Sequence, residues 1–421
     1  MYTSDAINII NEILNNPKTL SDALLKDNAF TQKEILDFKS VISIMLDYSG
    51  ASLQAKITRH CKECNKKRTV TKQALSKALS QIDESPFAKI FVALIDYIYK
   101  GKHLLKTFNN YLLFAVDGSY FNIPKTFKNM MFFNIGSKAT KLKMGGSMIY
   151  DVLNNVPMAF KISKNFMNER KEFIEQLNDL EEAYSHVLAN AIFAVDMGYP
   201  SLELIIEFYK RKIKFVMRAS CAFLKEINEA PLGDNIVTLR NGLKIRVLKF
   251  ITDKNELITL CTNLFDLTED ELKEVYRLRW IVETSFNTAK NKLFVDKNQG
   301  KTVNFLHQSY WATMVKMVFL GIGQNECDKN IENEEKQNTL YGFSDEKIYE
   351  YKTNTQILIK TFEAFYILSG VGKKCFNSIF DLSMALEEAV KRKIKKKITA
   401  SINIIERMFD YNVWREANVE S

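Results

Sequence analysis

Apolar residues in the first hundred positions recur every three or four places, the spacing typical of amphipathic helices. The clearest set comprises Ala6, Ile9, Ile10, Ile13 and Leu14. A helix break is expected at residues 83–86, where Asp-Glu-Ser-Pro interrupts the pattern. The pattern therefore predicts an N-terminal helical domain over residues 1–105.

Short continuous apolar runs replace the helical period after residue 105. Residues 111–116 form one run, closed by Asp117, and residues 191–195 form another, closed by Asp196. Runs of this length are typical of buried strands. We expect both strands to end at the same rim of an open sheet, where α/β folds place their ligands. A hairpin is predicted between them, over residues 147–152 and 156–162.

The segment from about residue 213 to residue 265 is rich in β-branched residues separated by turn signals, which predicts an insertion made of strands. A helix is expected to begin near Thr268, because the acidic residues that follow suit a helix N-terminus. We assign residues 106–325 to an α/β catalytic core containing that insertion, and residues 326–421 to a helical C-terminal region. Residues 328–338 are polar and acidic, which favours a surface loop or linker.

Composition narrows the class of protein only modestly. The net charge is +9, a weak preference for a polyanionic partner. The sequence contains no long uncharged apolar run, so no membrane span is predicted, and the N-terminus lacks the pattern of a secretory signal. Six scattered cysteines make a disulfide framework improbable, so we expect a cytoplasmic protein.

Four residues near the predicted helix share one face. Tyr276, Arg279, Glu283 and Lys290 follow one another at intervals of three, four and seven residues. At about 3.6 residues per turn these intervals return to the same side. On that face the guanidinium suits a phosphate fork, the lysine a point charge, and the tyrosine a hydroxyl or ring contact to DNA.

Three carboxylates on separate segments suggest divalent-metal chemistry. Asp117 and Asp196 at the strand ends, with Glu283 on the helix, provide the oxygen ligands that Mg²⁺ prefers. Two such ions roughly 3.5–4 Å apart activate the attacking oxygen and stabilise the leaving oxygen in phosphodiester chemistry. We predict that these three residues are catalytic and hold two Mg²⁺ ions, for which Mn²⁺ can substitute.

Simpler interpretations exist for each feature. An aspartate after an apolar run is commonly a turn or capping residue, and an Arg–Glu pair four residues apart is commonly a solvated ion pair. The cluster His60, Cys61 and Cys64 invites a zinc site, but no second Cys/His pair follows at finger spacing, so free thiols are favoured. The basic run at residues 391–397 is either a solvated helix face or, as we favour, a DNA contact.

Further lysines follow Asp117 and are candidates for DNA phosphate contacts. The predicted DNA-binding residues among them are Lys138, Lys141 and Lys143. Lys125 and Lys128 lie in the same stretch.

The complete Y-x2-R-x3-E-x6-K signature resembles that of DDE transposases of bacterial insertion sequences, in particular the insertion-sequence-four type. Asp117-Gly118-Ser119 is similar to the first aspartate motif of that family, and Asp196-Met197-Gly198-Tyr199 to the second. Met197 replaces the usual arginine of the second motif. Residues 70–77 are similar to the helical motif near the N-terminus of these proteins.

This resemblance implies an RNase H-like catalytic core interrupted by an all-β insertion and flanked by helical regions. The N-terminal helical domain, residues 1–105, is expected to bind DNA at the element ends, and the C-terminal region is a further candidate for DNA contact. It implies cut-and-paste transposition, with metal-dependent cleavage at the element ends, a hairpin intermediate and strand transfer into target DNA. The implied partner is double-stranded DNA, both the terminal inverted repeats and the target. The implied assembly is a homodimer on DNA near the bacterial nucleoid, with the C-terminal region available for dimerisation. A metal nuclease of the same fold, or a catalytically inactive DNA-binding derivative, is the alternative.

Overall fold

A computed structural model describes residues 1–27, 29–31, 35–101, 103–132, 142–163, 167–220, 223–252, 254–297, 300–340, 349–364 and 391–395. The α-helices of the first half of the chain are α1 Thr3–Asn15, α2 Pro17–Ala23, α3 Phe38–Met45, α4 Leu53–Glu63, α5 Lys72–Leu79, α6 Ser85–Tyr99, α7 Phe127–Phe132 and α8 Glu169–Leu188. Those of the second half are α9 Leu202–Lys210, α10 Lys225–Asn228, α11 Glu269–Leu278, α12 Ile281–Asn287, α13 Val303–Leu340 and α14 Thr355–Ala364. A π-helical turn, Thr288–Lys292, follows α12, and a 3₁₀ turn covers Val295–Lys297.

Ten strands alternate with these helices in the described residues. They are β1 Leu112–Ile123, β2 Leu142–Asp151, β3 Val156–Ser163, β4 Ala191–Val195, β5 Lys214–Arg218, β6 Gly233–Thr238, β7 Lys244–Ile251, β8 Leu257–Thr262, β9 Tyr349–Thr353 and β10 Lys391–Lys395. Eight of them form one sheet in the order β3-β2-β1-β4-β5-β8-β7-β6. The neighbours β1, β4 and β5 run parallel, whereas all other pairs are antiparallel. The prediction of an α/β fold is confirmed.

Helices cover both faces of the central sheet, which is why the strand β4 is apolar and buried at every position. Phe114 is paired in register with Phe193, and Phe193 packs against Phe173 of α8. Phe121 lies seven residues further along β1, an odd step that turns its side chain to the opposite face. There it packs against Phe286 of α12.

The N-terminal helices are packed into the rest of the molecule through α13. The helix α6 lies along α13, and α13 also contacts β3. Gln308 of α13 donates hydrogen bonds to the carbonyls of Leu79 and Ile82, which close the end of α5. The predicted helical character of residues 1–105 is thus present, and the helices share a hydrophobic core with the sheet.

Two predicted boundaries differ from the divisions seen in the structure. The boundary after residue 325 lies within α13, which continues to Leu340. Residues 328–338 are therefore helical, and the loop or linker prediction was wrong. Their Glu, Lys and Gln residues are good helix formers, and Gly and Pro are absent from this stretch. The boundary at residue 213 precedes β5, which pairs parallel with β4, so the antiparallel addition to the sheet consists of β6, β7 and β8.

For the basic run, the helix-face alternative is wrong, whereas the favoured DNA contact stays a prediction. Residues 391–395 form a strand, β10, paired antiparallel with β9, instead of a helix face. Lys396, Lys397 and the helix predicted at residues 400–411 lie outside the described residues. Within the described part of the chain, no helix combines the length and the apolar character needed to cross a membrane.

Candidate active site

The parallel pairing of β1 with β4 brings the two predicted aspartates together. Val116 pairs with Val195, so Asp117 and Asp196 occupy the next positions of neighbouring strands. Asp196 follows the end of β4, as predicted. Asp117 does not end its strand, however, because β1 continues to Ile123 through its antiparallel pairing with β2. The rim at Asp117 is therefore formed by the end of β4 alone.

The segment carrying Glu283 begins with a strong start signal. The helix α11 begins after Thr268, as the acidic sequence predicted, and Thr268 caps it in a reciprocal capping box with Glu271. The predicted single helix is in fact α11 and α12 joined at Arg279 and Trp280, both of which keep helical backbone angles. Glu283 lies in the first turn of α12, and this helix packs on β1.

Arg279 links the carboxylates of the site. Its Nη2 atom lies 2.9 Å from Glu283 Oε1 and 3.5 Å from Asp196 Oδ2. The residue is only 5% exposed, and its Nε and Nη1 atoms are buried without a hydrogen-bond partner among the described residues. A buried guanidinium left partly unsatisfied is costly. In this conformation Arg279 neutralises carboxylates and is withdrawn from the surface.

Tyr276 also turns toward the site. Its phenol donates a hydrogen bond of 2.8 Å to Asp196 Oδ1, and the residue is 4% exposed. The sequence analysis predicted phosphate contacts for Tyr276 and Arg279. The structure directs both side chains to carboxylates, because the helix face that carries them packs against the sheet. The phosphate contacts stay a prediction.

Lys290 reaches the site from the π-helical turn. Its Nζ atom donates a hydrogen bond of 2.6 Å to Ser119 Oγ and lies 5.3 Å from the centre of the Phe121 ring. Every second residue of β1 points to the same face, so Ser119 and Phe121 lie on the same face as Asp117. Lys290, which contacts both, therefore lies along that face. Burial lowers the pKa of Lys290, and the carboxylate of Asp296 opposes this shift. Wide helical turns of this kind are frequent at functional sites.

The carboxylates are electrostatically coupled. Burial, followed by the charge of Glu283, raises the pKa of Asp117 to about 7, and Arg279 opposes that shift. Burial also raises the pKa of Glu283, to which Asp196 adds. Desolvated acids that repel one another favour a bound cation or a proton. The raised pKa values therefore mark this rim as a place where positive charge is needed.

Whether the residues suit a metal depends on their chemistry and on their positions. Among the described residues, no three Asp, Glu, His or Cys side chains converge closely enough to ligate one ion. The Nη2 atom of Arg279 lies instead between Asp196 and Glu283, where it supplies positive charge. The donor set, three carboxylates with hard oxygen atoms, nevertheless fits Mg²⁺ or Mn²⁺. We conclude that Asp117, Asp196 and Glu283 fit such an ion chemically.

A fourth carboxylate, Glu169, was missed by the sequence analysis. A Cβ atom added to Gly118 would lie 3.0 Å from Glu169 Oε1, and one added to Gly198 would lie 3.0 Å from Oε2. Glu169 is the first residue of α8, capped by Asn168. Burial, and next the charge of Asp196, raise its pKa. The sequence signal was the glycine within each aspartate motif, since Gly118 and Gly198 both leave room for the Glu169 side chain.

The remaining predicted contacts lie around the rim. Lys143 is exposed and paired in register with Asn122, and its charge contributes to the lowered pKa of Lys290. Lys138 and Lys141 lie outside the described residues. Lys125 and Lys128 are exposed near the start of α7.

The possible zinc cluster has the arrangement of a small thiol–imidazole pair. Cys64 Sγ lies 3.8 Å from His60 Nδ1, and Cys61 is a buried free thiol. Burial raises the pKa of Cys64 to about 11 and lowers that of His60 to about 4. Such shifts favour a protonated thiol beside a neutral imidazole.

Comparisons with known proteins find similarity in both sequence and fold. Residues 109–315 match the family described as "Transposase DDE domain". The piggyBac transposase, solved by cryo-EM in a synaptic complex with hairpin DNA, shares the fold with a TM-score of 0.52 at 9% identity. That likeness covers 92% of this chain and 86% of the piggyBac chain.

A curated relative of another kind also matches. A probable tRNA sulfurtransferase of Malacoplasma penetrans (strain HF-2) is 24% identical over 187 residues, which are 42% of this chain and 48% of that protein. The chain thus spans about half the length of that relative. The matched transposase domain, by contrast, contains Asp117, Asp196 and Glu283.

Proposed function

We propose that this protein is an insertion-sequence transposase of the insertion-sequence-four type. It would cleave DNA at the terminal inverted repeats of its element and join the freed ends to target DNA. The observation that carries the proposal is that β1 and β4 place Asp117 and Asp196 at neighbouring positions, while Arg279 links Asp196 to Glu283 from a distant segment. The matched transposase domain and the fold shared with the piggyBac transposase support it.

The sheet topology supports an RNase H-like core. We assign the core to the order β3-β2-β1-β4-β5, in which three antiparallel strands are followed by two strands parallel to β1. The strands β6, β7 and β8 would then be the all-β insertion, added beside β5. This division keeps β5 in the core, after residue 213.

The residues of the site divide into two groups. Asp117, Asp196 and Glu283 would hold divalent ions, which when bound activate the attacking oxygen and stabilise the leaving oxygen. Tyr276 and Arg279 would hold two of these carboxylates in place through the contacts described above. Mg²⁺ is the proposed ion, with Mn²⁺ as a substitute, because all three donors are carboxylates.

Positive residues near the rim would bind the DNA. Lys290 and exposed Lys143 are close enough to influence each other electrostatically, so one phosphate path could pass both. The piggyBac structure was determined on hairpin DNA in a synaptic complex. That description supports a hairpin intermediate and a homodimer on two element ends as parts of this proposal.

The proposal is tested by cleavage of a labelled duplex that carries the inverted repeat flanking the gene. Wild type should release a hairpin end in Mg²⁺ and none in EDTA, and should join that end to a second duplex. Glu283→Gln should reduce cleavage by on the order of 1000-fold while DNA binding persists, because it removes a carboxylate ligand. Glu274→Gln, in the neighbouring α11, is the matched control and should cleave normally.

The remaining outcomes favour the alternatives. Nicking without strand joining would indicate a metal nuclease of the same fold. Specific binding without cleavage in any divalent ion would indicate a DNA-binding derivative without catalysis. Equal cleavage by Glu283→Gln and wild type would refute the role of that residue.

A further inference from the structure

A cavity with several polar side chains lies away from the carboxylate rim. It occupies about 110 Å³ between the helices α3 and α4, the 3₁₀ turn and α13. None of the residues Asp117, Asp196 and Glu283 lines it. A cavity of this size is well above the roughly 10–15 Å³ that one water molecule requires, so it has room for a small anion.

Positive side chains dominate the cavity lining. Lys56, Lys297 and Lys316 all line it, and no Asp or Glu does so among the described residues. Lys316 belongs to the apolar part of α13 and is only 4% exposed. The described residues provide no hydrogen-bond or ion-pair partner for its Nζ atom, although its carbonyl accepts a hydrogen bond from Tyr48. A buried ammonium group without a direct partner is costly, and the opposing charge that acts on it comes from the buried Asp47, which does not line the cavity.

The other polar groups of the cavity suit the same kind of ligand. The hydroxyl of Ser49 is buried and has no hydrogen-bond partner in the described part of the chain. The Nζ atom of Lys56 donates to the Asp47 carbonyl at 3.2 Å, which leaves further N–H bonds available. Burial, and then the charge of Lys56, lower the pKa of Lys316 to about 7, and Asp47 opposes the shift. An anion in the cavity would offset that cost.

The cavity wall joins the N-terminal helices to the segment that follows Lys290. Phe294 adopts a left-handed backbone conformation, with φ of 60°, which is rare for a bulky residue. Its ring packs over Gly50, where an added Cβ atom would lie 2.5 Å from Phe294 Cε2. Strained residues persist where their surroundings fix them. A ligand held here would therefore brace the end of the π-helical turn against α3 and α4.

We propose that this cavity binds a phosphate group, either as a free inorganic anion or as a phosphate of the DNA backbone. Lys316 and Lys56 would supply the charge, and Ser49 would donate a hydrogen bond. The site is separate from the carboxylate rim, so the proposal does not depend on cleavage activity.

The first test is thermal unfolding of the full chain in sodium phosphate against sodium chloride at equal ionic strength. Phosphate should raise the wild-type Tm by on the order of 2–4 °C, because a ligand of the folded state stabilises it. Lys316→Met keeps the volume of the side chain and should lose this gain. Ser49→Ala should reduce the gain, and it removes no hydrogen bond present in the described structure. Exposed Lys62→Met is the control and should retain the full gain.

The second test distinguishes the two sources of phosphate. Duplex DNA affinity is measured by fluorescence anisotropy at fixed ionic strength, with and without inorganic phosphate. If a backbone phosphate occupies the cavity, phosphate should compete with DNA in wild type, and Lys316→Met should weaken DNA binding about tenfold. If the ligand is a free anion, wild type and Lys316→Met should bind DNA with the same affinity, while phosphate should still raise the Tm of wild type. The proposal would be overturned if phosphate did not raise the Tm of wild type, or if it raised the Tm of Lys316→Met and Ser49→Ala as much as that of wild type.

Discussion

The phenol of Tyr276 donates a hydrogen bond of 2.8 Å to Asp196 Oδ1, across 80 residues of sequence. The contact joins the first residue of the helical signature to the second aspartate motif. In this conformation, part of the signature is therefore turned toward the carboxylates. The predictions below examine this and the other contacts of the rim.

Tyr276→Phe should leave the fold intact and slow DNA cleavage about tenfold. The phenylalanine keeps the buried ring but leaves Asp196 without its donor, a loss of about 1 kcal/mol. Because Tyr276 would act through the carboxylate, the Mg²⁺ concentration for half-maximal rate should rise while DNA affinity stays constant. Tyr2→Phe, at an exposed tyrosine, is the control. A weaker DNA affinity with an unchanged Mg²⁺ requirement would favour the original phosphate-contact prediction.

Asp117→Asn should stabilise the metal-free protein at pH 8, raising its Tm by on the order of 2–4 °C in EDTA. Folding raises the pKa of Asp117 from its usual value of 3.8 to about 7. The wild type therefore keeps the favourable contribution of the protonated acid below about pH 4 and loses it as the pH rises through 7. The difference between variant and wild type should shrink toward pH 4. Thermal unfolding in EDTA across this range checks the sign.

The same variant tests ion binding. At pH 8, Mg²⁺ should raise the Tm of wild type, because a cation offsets the repulsion among the carboxylates. Asp117→Asn should respond much less, since it lacks one ligand. Equal Mg²⁺ responses in both proteins would contradict a role for Asp117 in holding the ion.

Lys290→Ala should weaken binding of element-end DNA and reduce hairpin formation by about tenfold or more. The side chain loses its hydrogen bond to Ser119 Oγ and its charge beside the rim. If it contacts a phosphate, the slope of affinity against salt should fall by about one. Exposed Lys301→Ala serves as the control. Ser119→Ala separates the position of the ammonium group from its charge, because it removes the hydrogen bond and keeps the charge. Normal activity of Lys290→Ala would refute a phosphate contact by this residue.

Glu169→Gln should weaken divalent-ion binding roughly tenfold, in line with the loss expected for groups that support metal ligands. The carboxylate lies between Gly118 and Gly198, one glycine from each aspartate motif. Calorimetric titration with Mn²⁺ provides the readout, so the result does not depend on cleavage. Glu182→Gln, exposed on the same helix, should bind Mn²⁺ like wild type. Unchanged affinity in Glu169→Gln would mean that Glu169 only stabilises the first turn of α8.

The local pattern of residues was sufficient for most elements. The strand at residues 191–195 was predicted with its observed bounds, and the start of α11 at Thr268 was predicted from the acidic residues that follow. These features depend on neighbours in sequence, namely the alternation of side chains and the capping of backbone N–H groups. The spacing of Tyr276, Arg279 and Glu283 likewise predicted a shared helix face, and all three do contact or approach the rim.

Tertiary structure decided what that face does and where Asp117 lies. Pairing with β2 extends β1 beyond Asp117, and packing against the sheet turns Tyr276 and Arg279 inward. Burial, which depends on residues far apart in sequence, raises the pKa of Asp117. Glu169 joins the rim for the same reason, since only the folded chain brings α8 beside both glycines. The sequence by itself determined which chemical groups are present and their local elements, whereas long-range packing determined their partners, exposure and charge.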